Sequence, residues 1–135
     1  MPPHYPERIV CLTEETTETL YLLGEERRIV GISGYTVRPA RARKEKPRVS
    51  AFLSAKNEKI LELKPDLVLG FSDLQADILR DLAKAGLNVM IFNQRSVDEI
   101  LSMILTLSSI VGASGKGEAL VSQLQENLQS IKEKA

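Results

Sequence analysis

The stretch Arg8–Gly24 reads RIVCLTEETTETLYLLG: a short apolar run, an acidic threonine-rich turn, and a second apolar run that stops at a glycine. Arg8–Leu12 predicts a buried strand and Glu15–Leu23 the helix after it, with Gly24 as the stop signal. Working outward, Arg28–Ser33 (RIVGIS) reads as a second strand. Arg38–Arg48, bracketed by Pro39 and Pro47, reads as a basic loop or short helix, and Val49–Phe52 as a short strand. Lys56–Leu63 predicts a short helix that ends before Pro65, because the residue preceding a proline disfavours helical backbone. Leu67–Phe71 within PDLVLGF gives a clear strand, and Ser72 with Gln75 has capping-box spacing for a helix running to Ala85 and Gly86. Asn88–Phe92 is a further strand. Ser96 and Glu99 form a second capping-box pattern before a helix whose apolar face is Val97, Ile100, Leu101, Ile104, Leu105, Ser108 and Val111. After GASGKG (Gly112–Gly117), read as a flexible turn, Leu120, Leu124, Leu128 and Ile131 mark a last amphipathic helix.

Continuous apolar strands separated by helices imply parallel pairing with both faces covered. The expected class is therefore α/β: a Rossmann-like parallel sheet flanked by helices, a single lobe with a long C-terminal helix. At 135 residues, the chain has room for one domain with a real core. Its 18 basic and 18 acidic side chains give zero formal net charge, which argues against nucleic acid or an anionic membrane as partner. The lone Cys11 excludes an intrachain disulfide and reads as a buried hydrophobe. MPPHYPER has no signal-peptide character, so the sequence taken literally predicts a cytoplasmic protein; a leader removed beforehand would make it periplasmic.

Ligands of open α/β sheets bind beyond the carboxyl ends of the strands. Those ends carry Thr13–Glu14, Ser33–Gly34–Tyr35, Phe52, Phe71–Ser72 and Asn93–Gln94–Arg95. Aromatics are scarce in this chain, and their gathering on one rim points to a surface for a large, partly apolar ligand; rings that merely cover the end of the core are the alternative. GASGKG has the wrong spacing and setting for a phosphate loop, and no dinucleotide fingerprint follows the first strand. His4, the single histidine, sits in a tail expected to be mobile, and no metal site is expected. The basic run from Arg38 to Arg48, with only Glu45 opposing it, reads as a solvated loop. Glu14, Glu15 and Glu18 crowd the start of the first helix, where the helix dipole favours acids and Thr13 can serve as N-cap. Nothing supplies them with a proton-transfer partner, so no catalytic residue is expected.

These segments together resemble the N-terminal lobe of the substrate-binding proteins that serve ABC importers of cobalamin, ferric siderophores and haem. RIVCLTEETTETLYLLG is similar to that family's first strand, turn and helix, with Thr17–Glu18 on its Thr-Glu pair. RIVGISGY, NEKILELKPDLVLGF and GLNVMIFNQRSVDEIL resemble the segments that follow. The resemblance implies a non-catalytic, two-lobe clamp whose lobes are joined by one long helix. On that frame residues 1–7 are a tail, 8–114 the binding lobe and 115–135 the inter-lobe helix, with the second lobe expected to be absent.

The resemblance also implies site residues. Tyr35, Phe52 and Phe71 fall where cobalamin binders present aromatics to the corrinoid; Thr13, Glu14, Glu15 and Ser72 complete the expected ligand surface. Glu58 falls on the glutamate that docks onto the membrane permease. Glu14 and Glu15 depart from the family pattern, and two carboxylates there would disfavour an anionic chelate, which tilts the expectation to a corrinoid. No cofactor is expected beyond a bound chelate such as cobalamin. A second reading is an interaction module: a homodimer through the last helix or the strand-tip face. A small α/β enzyme ranks last.

Overall fold

The structure is a computed structural model and describes residues 3–51 and 55–134. Among these, five strands form one parallel sheet: β1 (Ile9–Cys11), β2 (Ile29–Ser33), β3 (Arg48–Ser50), β4 (Leu67–Phe71) and β5 (Val89–Phe92), in the order β3-β2-β1-β4-β5. The helices are α1 (Glu14–Leu22), α2 (Ala42–Glu45), α3 (Asn57–Glu62), α4 (Ala76–Lys84), α5 (Val97–Ile110) and α6 (Ser114–Lys134). This is the expected α/β class.

Strand alternation divides the core into two layers. Ile9, Cys11, Leu67 and Leu69 pack with Leu20 of α1 and with Leu101, Ile104 and Leu107 of α5. Val10, Leu12 and Val68 pack on the other face with Ile60 of α3 and Leu79 and Leu82 of α4. Both faces being covered explains the near-continuous apolar strands.

Two local expectations, on GASGKG and on the tail, need correction, and a third, on the basic run, gains detail. GASGKG is mostly helix: Gly112 takes a positive φ of 72° as the turn, and α6 begins at Ser114. Gly117 lies inside α6 and lets it close on α5, since a Cβ there would sit 1.9 Å from the Ser108 Oγ. The basic run, expected as a loop or short helix, carries the short helix α2 and is anchored to its neighbours. Arg41 stacks over the Tyr21 ring at 4.6 Å and pairs with Glu26 and Glu45, while Lys46 donates to the Glu26 carbonyl at 2.8 Å. The tail is also held. Arg28 donates to the Pro6 carbonyl at 2.5 Å, the Glu7 and Arg8 amides donate to Asp66 at 2.8 and 2.9 Å, and the Tyr5 ring lies against Gly112.

The last helix spans 21 residues, about 31 Å at 1.5 Å per residue. Val121 is buried, Leu120 and Leu124 partly so, whereas Leu128 and Ile131 are exposed. No helix among the described residues is long and apolar enough to cross a membrane.

Candidate ligand-binding rim

Parallel strands bring their carboxyl ends to one edge, so the loops after β1, β2, β3, β4 and β5 share a rim. The strand order reverses between β1 and β4, the place where open α/β sheets usually leave a crevice for ligand. Here Gln75 closes it. The side chain is fully buried; it donates to the Leu12 carbonyl at 3.1 Å and accepts from the Phe71 amide at 2.8 Å. Gln75 is therefore not the reciprocal half of a capping box. Ser72 takes a positive φ of 59° and accepts from the Leu74 amide at 3.1 Å, while Gln75 turns inward and laces β4 to β1. With the crevice sealed, the rim is a shallow surface suited to a large face of a ligand.

The acidic turn after β1 braces this rim on both sides. Glu14 reaches over the loop that follows β2, where its Oε2 accepts from the Val37 amide at 2.7 Å and the Arg38 amide at 3.2 Å. Its Oε1 lies 3.4 Å from the Arg38 guanidinium, which also pairs with Glu18 at 3.4 Å. Partial burial opposes the charge on Glu14, but these donors outweigh it and hold the carboxyl below its ordinary range. Glu15 accepts instead from the Gln94 side chain, beyond β5. Both carboxylates, expected to screen a ligand's charge, accept from donors of their own chain. Thr13 sits at the N-cap position in extended backbone but does not cap the helix. Its hydroxyl lies 3.3 Å from that of Thr16, and its carbonyl accepts from the Thr16 and Thr17 hydroxyls.

Apolar groups stand on this braced base. Tyr35 is 68% exposed, with a buried Ser33–Thr36 hydroxyl pair 3.0 Å apart beneath its loop. Phe71 is half-buried, and the Arg95 guanidinium lies 5.8 Å from its ring centroid while approaching Asp73 at 3.9 Å. Phe52 lies outside the described residues. Val37 and Leu74, 51% and 60% exposed, join the rim and were missed in the sequence. Each follows a predicted strand tip by a few residues, which was the available signal. Ser72 and Thr13 are buried below the rim rather than on it. Cys11 is buried in the core, and burial pushes its thiol up to about 11. Among the described residues no group of three or more His, Cys, Asp and Glu side chains could hold a metal ion.

A parallel sheet in this order with a long final helix has counterparts among known proteins. Residues 9–135 match the periplasmic binding protein family. The chain belongs to that family. It is 31% identical over 134 residues to an uncharacterized ABC transporter substrate-binding lipoprotein of Bacillus subtilis, YvrC, covering 96% of this chain and 42% of that protein. It is 30% identical over 133 residues to a vitamin B12-binding protein of Vibrio cholerae, covering 96% of this chain and 47% of the relative. The crystal structure of the periplasmic vitamin B12 binding protein BtuF of Vibrio cholerae superposes with a TM-score of 0.85 at 28% identity, covering 98% of this chain and 52% of that one. The chain thus spans about half the length of the curated relatives it matches. These relatives are named as binding proteins, not enzymes. Within this periplasmic binding protein lobe, Glu58 is exposed on the first turn of α3, with Lys56, Lys59 and Glu62 around the same cleft.

Proposed function

We propose that this chain is a solute-binding lobe for a large metal chelate, most closely a corrinoid, of the kind that delivers its ligand to an ABC importer. The observation that supports it best is the rim itself. Tyr35, Phe71, Val37 and Leu74 gather apolar surface at the strand tips, while the acids between them are held by donors of the chain. A flat macrocycle stacks on such a surface through its face, and no nucleophile or proton-transfer pair stands among the rim residues to turn it over. The preference for a corrinoid draws support from the relatives named for vitamin B12. Haem and ferric siderophores are the alternatives. Delivery to an importer requires a location outside the cytoplasmic membrane rather than the cytoplasm, with Glu58 presented to the permease.

Titration with cyanocobalamin, haemin and a ferric catecholate, read by the chelate's absorbance and by the melting temperature, tests this reading. Saturable spectral change and a raised melting temperature with cyanocobalamin support it, and a larger effect with either other chelate reassigns the ligand. No response to any of the three sinks binding by this lobe. Self-association is a second reading, favoured by Val97, Ile100, Leu128 and Ile131 lying exposed on α5 and α6. A strictly monomeric mass by light scattering across concentrations removes it.

A further inference from the structure

A cavity of ≈ 390 Å³ lies at the tips of β2 and β3, lined by Gly34, Arg48, Ser50, Ala51, Ala55 and Lys56. Among the described residues its lining holds two cations and no carboxylate. Some basic side chains elsewhere meet acids: Arg38 pairs with Glu14 and Glu18, Arg41 with Glu26 and Glu45, Arg80 with Asp77 and Asp81, Arg95 with Asp73. Arg43, Lys44, Lys64 and Lys84 are without an ion pair among the described residues, but they line no shared cavity with a second cation and a buried hydroxyl. Arg48 and Lys56 are exposed and form no ion pair among the described residues. Lys59 adds a third positive charge beside them, its Nζ donating to the Arg48 carbonyl at 3.2 Å. Glu58 and Glu62 border the neighbouring cleft with Lys56 and Lys59, and neither pairs with them.

Ser50 supplies an independent observation. It is 9% exposed, and its Oγ is covered and has no hydrogen-bond partner among the described residues. A buried hydroxyl left unsatisfied costs about 1–3 kcal/mol, which an acceptor brought to it would recover. The Gly34 amide donates to the Ser50 carbonyl at 2.5 Å and locks the two tips together; a Cβ on Gly34 would come within 3.2 Å of that oxygen. Gly34 also joins the cavity to Tyr35, and so to the apolar rim.

We propose that this cavity is a subsite for an oxyanion, a phosphate or carboxylate carried on the chelate, held by Arg48, Lys56 and the Ser50 hydroxyl. The inference rests on the chelate-binding reading for its biological ligand, but the site's chemistry stands apart from it. Two unpaired cations and an unpaired hydroxyl select a group that only accepts hydrogen bonds, and charge-assisted bonds to an oxyanion are the strong kind. The rim would then read a ligand twice, by the face of its macrocycle and by an anionic arm.

Two arms at fixed, low ionic strength test it. In the first, inorganic phosphate is titrated and followed by amide chemical shifts. Wild type is expected to respond at Gly34, Ser50 and Lys56, with affinity falling roughly tenfold for each cation removed in R48Q and K56Q. In the second, cobalamin is compared with cobinamide, which lacks the phosphodiester arm. Wild type is expected to prefer cobalamin, and R48Q/K56Q to lose that preference while keeping its affinity for cobinamide. S50A, which removes the hydroxyl with little change of shape, checks that a loss is local. Phosphate shifts that fall elsewhere, or that survive R48Q/K56Q unchanged, overturn the subsite. Phosphate binding at these residues without binding of either corrinoid supports the subsite and overturns the corrinoid reading.

Discussion

The two edges of the sheet use charge in opposite ways. At the amino edge, where the strands begin, polar groups are matched among themselves. Glu25 is almost fully buried and meets Lys116 and Arg28 at 2.8 Å and Arg27 at 3.3 Å. Asp66 takes the Glu7 and Arg8 amides, and the Leu63 carbonyl takes the Arg8 guanidinium at 3.0 and 2.7 Å. At the carboxyl edge the bracing is as local, through Glu14, Glu15 and Gln75, but apolar side chains and unpaired donors are left facing outward. One edge is completed by the chain; the other carries the surface proposed for the chelate. This contrast says where stability and recognition reside, and it can be broken.

The largest expected effect is at the amino edge. Replacing Glu25 with Gln leaves the largely buried Arg28 without its counter-charge, while the exposed Lys116 and Arg27 turn to solvent, and should cost about 2–3 kcal/mol by urea unfolding, with chelate affinity unchanged. The same carboxylate gives a pH signature. Burial opposes its charge, but the Lys116 and Arg28 bonds and the Arg27 charge prevail and hold it down at about 2, against an ordinary 4.5. A depressed carboxyl stabilises the fold above its unfolded value. That contribution is lost as pH falls from 4.5 through about 2, and E25Q should lack this part of the acid-induced loss.

Next in size is Gln75→Ala, which leaves the Leu12 carbonyl and the Phe71 amide unpaired at the switch point. A loss of about 2 kcal/mol in stability is expected, with chelate affinity falling as well because the rim's base loosens. Glu14→Gln is smaller. About 1 kcal/mol of stability goes as the charge-assisted bonds to Val37 and Arg38 become neutral ones, seen as a modest drop in melting temperature. The affinity for chelate should fall more than the stability does. With the Glu14 carboxyl held below its ordinary range, wild-type affinity should persist above that range and decline as acid protonates it, a decline that E14Q has already undergone. Tyr35→Ala should change stability by less than about 0.5 kcal/mol yet weaken chelate binding about tenfold, measured by spectral titration. If it costs stability and spares binding, the division between the two edges fails.

Most of the local structure was legible in the sequence. Leu67–Phe71 was placed to the residue, and β1, β2, β5, α1, α3 and α5 within a residue or two, because apolar periodicity and glycine stops are local signals, whereas α4 begins at Ala76, later than the Ser72 cap implied. The aromatic rim was legible for Tyr35 and Phe71, since each directly follows or ends a predicted strand. The roles of Glu14, Glu15 and Gln75 were not. The partners of Glu14 and Glu15 lie 23 and 79 residues further along the chain, and Gln75 reaches back 63 to Leu12. Gln75 was read as a cap because its spacing from Ser72 permits one. The positive φ at Ser72 turned it inward instead.

By itself, then, the sequence determined the α/β class, the elements in order, the family resemblance and the residues that stand at the strand tips. These follow from periodicity and turn chemistry, which act over a few residues at a time. The folded chain alone decided that β1 lies between β2 and β4, that a buried glutamine fills the switch point, and that the acidic turn grips loops on both sides. Those outcomes depend on hydrogen bonds between segments far apart in the chain. No local pattern specifies such partners, since a carboxylate's nearest donors are known only once the sheet has brought them to it.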